Sequence, residues 1–96
     1  MNTDFEINET LKGACFDSLE ALRKFEREDF AEIIAKLEYV IGSYNFDKNP
    51  VGLHEIGEKA LGQMKSFKKA NPRKLSMKTI EKLEKALKKY TEVHKY

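Results

Sequence analysis

The sequence predicts an all-α fold, a compact antiparallel bundle of about four helices. Apolar residues recur at the three- and four-residue spacing of a helix face almost throughout, and no segment alternates apolar and polar residues between turn signals as a strand would. The two prolines each follow an asparagine, as Asn49-Pro50 and Asn71-Pro72, and both pairs fall where that periodicity breaks. Only short connections separate the periodic segments, which favours antiparallel neighbours. Ninety-six residues suit one helical domain over 1–96, large enough to bury a core without disulfides or metals.

The first helix is expected to begin at Thr3 or Asn8 and to end at Phe25. Its core side is Ile7, Leu11, Ala14, Cys15, Leu19, Leu22 and Phe25. Gly13 costs about 1 kcal/mol relative to alanine inside a helix, so a break is expected to be tolerated there. The second helix is expected to start at Asp29, where Asp29 and Glu32 have capping-box spacing. Phe30, Ile33, Ile34, Leu37, Val40, Ile41 and Tyr44 then form the widest apolar stripe in the chain. Gly42 and the segment SYNFDKN are expected to close it.

Asn49 as cap and Pro50 at the first helical position open the third helix. Leu53, Ile56, Ala60, Leu61, Met64 and Phe67 mark its inner face. Asn71-Pro72 stops it, because a proline disfavours helical geometry in the residue before it. Ser76 caps the fourth helix, with Leu75 and Ile80 spaced as a hydrophobic staple. Ile80, Leu83, Leu87, Tyr90 and Val93 form its stripe. Glu81 and Lys85, and Glu84 and Lys88, stand in the favourable acid-first order four residues apart.

Composition narrows the class. The chain is 41% hydrophobic and 35% charged, as soluble globular chains are. No apolar run reaches membrane-span length, so no membrane association is expected. The opening MNTDFEINETLKG carries acids and lacks the apolar stretch of a signal peptide. Cys15 has no second cysteine to pair with, which suits a reducing compartment and a cytoplasmic location.

The net charge of +2 conceals an asymmetry. Up to Asp47 there are five basic and eleven acidic residues, a net of −6, and from Lys48 onward thirteen basic and five acidic, a net of +8. Either the basic half meets an anionic partner, or the halves face each other and neutralise. The basic residues concentrate over 65–78, where Lys65, Lys68, Lys69, Arg73, Lys74 and Lys78 stand without an acid. Lys82, Lys85 and Lys89 continue the run. Lysines contact phosphates but read bases poorly, and the fourth helix offers Ser76, Lys78, Thr79 and Lys82 with no arginine or glutamine for base edges. A nucleic-acid role for this corner would therefore be salt-sensitive and sequence-tolerant.

Chemistry-bearing constellations are sparse. Residues 47–58 align with a twelve-residue calcium loop at Asp47, Asn49, Gly52 and Glu58, but Val51 occupies a ligand position and Pro50 precedes it. A plain helix start capped by Asn49 is the better reading. His54 and Glu58 lie one turn apart, yet two ligands do not make a metal site. His54 also departs from the phosphorylated histidine of phosphotransfer bundles, which is followed by lysine and glycine three and four residues on. Here those positions are Gly57 and Glu58. Cys15 lies on an apolar stripe, as packing cysteines do, and His94 falls in a tail. The glycines at 13, 42, 52, 57 and 62 lack the strand that precedes a phosphate loop. Gly57 and Gly62 inside a helix suggest close approach of a neighbouring helix or of a partner. No catalytic residue, metal site or cofactor is expected.

The expectation is thus a non-enzymatic protein-interaction or regulatory module, with nucleic-acid binding through the basic residues as the alternative. The protein-binding candidates are Tyr44 and Phe46, aromatics flanking a polar loop, with Glu28 and Asp29 from an acidic surface that also includes Asp17, Glu20, Glu26 and Glu32. The heptad-like spacing of Ile80, Leu83, Leu87 and Tyr90 either seals the bundle or extends into a homodimer contact.

Overall fold

In the computed structural model, which describes residues 3–25 and 28–93, four helices follow one another as α1 (Thr3–Arg23), α2 (Ala31–Asp47), α3 (Val51–Ala70) and α4 (Met77–Val93), with a 3₁₀ turn at Glu28–Phe30 leading into α2. Each helix runs antiparallel to its neighbours in the order α1–α2–α3–α4, and α4 returns against α1. The result is an all-α four-helix bundle of 40 × 23 × 20 Å. There is no strand among the described residues, and no helix among them is long and apolar enough to cross a membrane. Glu26 and His94 lie outside the described residues.

The periodicity becomes the core directly. Ile7, Leu11, Ala14, Cys15, Leu19 and Leu22 from α1, Ile33, Leu37, Val40 and Tyr44 from α2, Leu53, Ala60, Leu61, Met64 and Phe67 from α3, and Ile80, Leu83, Ala86, Leu87 and Tyr90 from α4 form one buried cluster. Phe25, Ile34, Ile41 and Ile56 pack against it half-buried. Val93 does not join the buried α4 stripe and is 37% exposed.

Several boundaries differ from expectation for local reasons. Helix α1 passes through Gly13 unbroken; its packed flanks on both sides of the glycine outweigh the backbone entropy. The cap of α2 falls on Phe30, the last residue of the 3₁₀ turn, and makes no side-chain cap bond, so the capping-box register starting at Asp29 is one residue early. At the other end α2 continues past Gly42 to Asp47 and stops at Lys48, whose φ of 59° puts it in the left-handed region. The Lys48 N–H reaches the Tyr44 carbonyl at 2.7 Å, which closes the helix as an αL motif.

The α2–α3 turn is a relay of side-chain caps. The Asn49 N–H donates to Asp47 Oδ1 at 3.0 Å and the Val51 N–H donates to Asn49 Oδ1 at 3.1 Å. The His54 N–H bonds the Pro50 carbonyl at 3.0 Å, the first intrahelical bond, so the cap of α3 falls on Pro50, one residue after the expected Asn49, whose side chain holds the Val51 N–H from just outside the helix. Asn71 leaves helical geometry with φ −136° and ψ 69°, as the following proline requires. Ser76 Oγ accepts the Lys78 N–H at 3.2 Å, and Leu75 and Ile80 are both buried as the staple demands.

Candidate functional site

Two surfaces stand out, at opposite ends of the bundle. Along α2, the eight residues 39–46 (YVIGSYNF) contain no charge. Their inward members enter the core, Asn45 turns outward towards Lys12, and Tyr39, Gly42 and Phe46 recur at three- and four-residue spacing and so share one exposed face. Tyr39 is 75% exposed and Phe46 92%. Ala35, one turn earlier on the same face, is exposed too, and outside the local helix backbone nothing lies within 4 Å of where a Gly42 side chain would begin. A shallow depression beside Tyr39 and Ser43 runs to Val51, itself 51% exposed. The outer face of α4, in contrast, alternates Lys78, Glu81, Lys82, Glu84, Lys85, Lys88 and Lys89, the charged surface an outward helix face ordinarily presents.

The aromatic pair expected around the α2–α3 turn is divided by this geometry. Tyr44 is 1% exposed, with its hydroxyl donating to Glu9 Oε2 at 2.7 Å, so it is a core residue and presents no ring to a partner. Its position on the α2 stripe dictated this. Phe46 alone is presented, and Tyr39, which the sequence reading missed, stands seven residues before it. The uncharged run 39–46 was the signal available. Glu28 and Asp29 are exposed at the start of α2, roughly 25 Å from Phe46 at 1.5 Å of rise per residue. They do not share a surface with it.

The basic residues gather at the end where α3 turns into α4. Here Phe25, Phe30 and Phe67 pack with ring centroids 4.7 to 6.1 Å apart and close the core. The cations divide into two groups. Lys65 bonds Glu84 at 2.7 Å, Lys82 pairs with Asp17 of α1, and Lys68 Nζ donates to the carbonyls of Pro72 and Leu75 at 2.5 and 2.6 Å. Lys69, Arg73, Lys74 and Lys78 have no ion-pair partner among the described residues and are all exposed. Four carboxylates of the acidic first half are held within that half and not at this group: Glu9 by Lys12, Glu20 and Glu38 by Arg23, Glu32 by Lys36. Glu84 takes Lys65 across the α3–α4 seam, where helix-internal pairing with Lys88 was the expectation.

The remaining candidates are occupied by structure. Residues 51–58 are helical, and the Asp47 and Asn49 side chains cap backbone N–H groups. The His54 ring stacks on Tyr90 at 4.8 Å and its Nε2 lies 3.4 Å from Thr91 Oγ1 and 3.5 Å from Glu58. Cys15 is fully buried, its thiol directed at the Leu53 carbonyl, and burial pushes it up to about 12. Among the described residues no three His, Cys, Asp or Glu side chains come together as a metal would need. Comparison with protein-family models, with curated proteins and with solved structures finds no match to this chain.

Proposed function

We propose that this chain is a non-enzymatic protein-interaction module whose working surface is the outer face of α2. The observation that carries the reading is the uncharged exposed face formed by Tyr39, Gly42 and Phe46. Two aromatic rings left in water forgo burial of about 150–250 Å² each, and aromatic residues of this kind anchor interfaces. The side chains that covalent or acid–base chemistry would recruit are committed elsewhere: the Cys15 thiol to the core and the His54 ring to Tyr90. Site-specific photo-cross-linking tests the reading. A benzophenone side chain at position 46, in the cellular setting of the protein, is expected to give a discrete protein adduct that the same probe at exposed Lys85 does not give. Equal or absent adducts at both positions would overturn it.

A second reading is favoured by a separate observation, the four unpaired cations at the α3–α4 corner. Lys69, Arg73, Lys74 and Lys78 would contact the phosphates of a nucleic acid without reading its sequence. Fluorescence anisotropy of a labelled random duplex at two salt concentrations tests it. Binding should weaken steeply with salt, and alanine at all four positions should lower the magnitude of the log–log salt slope by about 3–4. Absence of binding at low salt would eliminate this reading.

A further inference from the structure

Lys24, one residue past the end of α1, is exposed and has no ion-pair partner among the described residues. The bundle brings it to α4. Lys24 and Ala21 line a surface depression together with Lys78, Thr79 and Lys82. Two carboxylates, Asp17 and Glu20, lie in the same depression, and both are already held, Asp17 by Lys82 and Glu20 by Arg23. The cations left over there are Lys24 and Lys78.

We infer that the basic end of the bundle takes a double-stranded nucleic acid by its phosphates, with Lys24 as a fifth contact beside Lys69, Arg73, Lys74 and Lys78. The inference rests on the nucleic-acid reading of the α3–α4 corner. It names the form of polyanion and adds a residue from the acidic half of the sequence.

Charge sets the direction in which the surface extends. No acid occurs between Lys59 and Ile80. On the α2 side, however, Asp29 shares a groove with Ala70 and Asn71, and Glu28 beside it is exposed. Like charges set against each other are costly, so a polyanion crossing this end is kept to the α1 side, over Lys24.

The rings at this end decide between one strand and two. Single strands are held by stacking bases on exposed aromatic side chains as well as by charge. Here Phe30 and Phe67 are buried, and Phe25 packs against both. A flexible strand would have to be ordered for charge contacts alone, whereas a duplex brings its phosphates already fixed. At one charge per about 1.7 Å of axis, a duplex length matching the 20 Å width of the bundle offers about a dozen phosphates to five cations.

Anisotropy of a labelled random duplex and of one of its strands, with co-sedimentation on phosphatidylserine vesicles, tests this on the full chain. Five contacts predict a log–log salt slope of about −4.5, or about a 500-fold loss of affinity for a fourfold rise in salt. Lys24→Ala should lower the magnitude of that slope by about 0.9. Lys59→Ala, at an exposed position on the α2–α3 side, should leave it unchanged. Both variants should melt with the parent, since neither side chain holds anything in the fold. The duplex should bind several-fold more tightly than the single strand or the vesicles. Lys24→Ala indistinguishable from Lys59→Ala, or a single strand held as tightly as the duplex, would overturn the inference and leave the nucleic-acid reading of the corner standing. Vesicles held more tightly than the duplex, or no duplex binding at low salt, would remove both.

Discussion

Tyr44 and Glu9 join α2 to α1 through one hydrogen bond of 2.7 Å, made at the edge of the core by a ring that is itself buried. Lys12 and Lys48 flank the pair, their Nζ atoms 5.9 and 5.1 Å from the Tyr44 ring centroid and 3.2 and 3.7 Å from the Glu9 carboxylate. The Tyr44 hydroxyl is the main reason the Glu9 carboxyl is held below its ordinary value of 4.5, the two lysines adding to it against the effect of burial. Burial, then Glu9, pushes the Tyr44 hydroxyl from 10.0 up to about 12.

These shifts fix the pH dependence. Glu9 is depressed in the fold, so its contribution is complete above the ordinary carboxylate range and is lost as pH falls through its lower folded value. Tyr44 is raised, so its contribution is complete below pH 10 and is lost as pH rises towards 12. Tyr44→Phe is expected to cost about 1–2 kcal/mol at neutral pH. Denaturant titrations across pH should show that difference shrinking on both the acid and the alkaline limb. A difference constant with pH would mean the bond is not made.

Two glycines on α3 should respond oppositely to substitution. A Cβ at Gly57 would lie 3.1 Å from Leu87 Cδ2 and 3.4 Å from Cys15 Sγ, whereas one at Gly62 meets nothing within 4 Å. Gly62→Ala should therefore stabilise by roughly 0.5–1 kcal/mol, the helix-entropy gain alone. Gly57→Val should destabilise by about 1–3 kcal/mol, because the α1, α3 and α4 packing must open to admit it. Thermal melts of both variants check the contrast.

The Cys15 thiol should be inert in the native state. A thiol pushed to about 12 and sealed in the core supplies almost no thiolate at neutral pH, and the thiolate is the reactive form. Reaction with a disulfide reagent is expected to proceed only at the rate of unfolding and to accelerate with denaturant. Prompt labelling of the native chain would contradict the burial.

The core was legible in the sequence because helix periodicity reports which side chains turn inward, and nearly every residue on those stripes is buried. Helix ends were less legible. Asp29 and Glu32 have the spacing of a capping box, but the competing 3₁₀ turn lets Phe30 reach Phe25 and Phe67, and ring packing won over the cap. Gly42 reads as a terminator, yet Tyr44 two residues later has a buried place to fill, so the helix ran on. The candidate site was half legible. Phe46 followed from its place beside a loop, whereas Tyr39 became visible only when the fold turned its side of α2 to solvent. For the lysines, residue type announced the cluster, but only three-dimensional pairing separates Lys65, Lys68 and Lys82 from the four that stand unpaired.

That separation yields a last contrast. Lys68 Nζ holds the carbonyls of Pro72 and Leu75, backbone acceptors in the α3–α4 turn. A carbonyl stripped of such a charged donor must find water instead, so Lys68→Ala should cost about 1 kcal/mol or more and loosen the turn. Lys69, Arg73, Lys74 and Lys78 hold nothing in the fold and stand within one short stretch of like charge, where each feels the others. Alanine at any of these four should leave the melting temperature unchanged or raise it slightly, more so at low salt, where repulsion is least screened. A melt series of the five single variants at two ionic strengths decides the matter. Equal losses at all five positions would mean the unpaired four are structural, and would remove them from consideration as a phosphate-contacting surface.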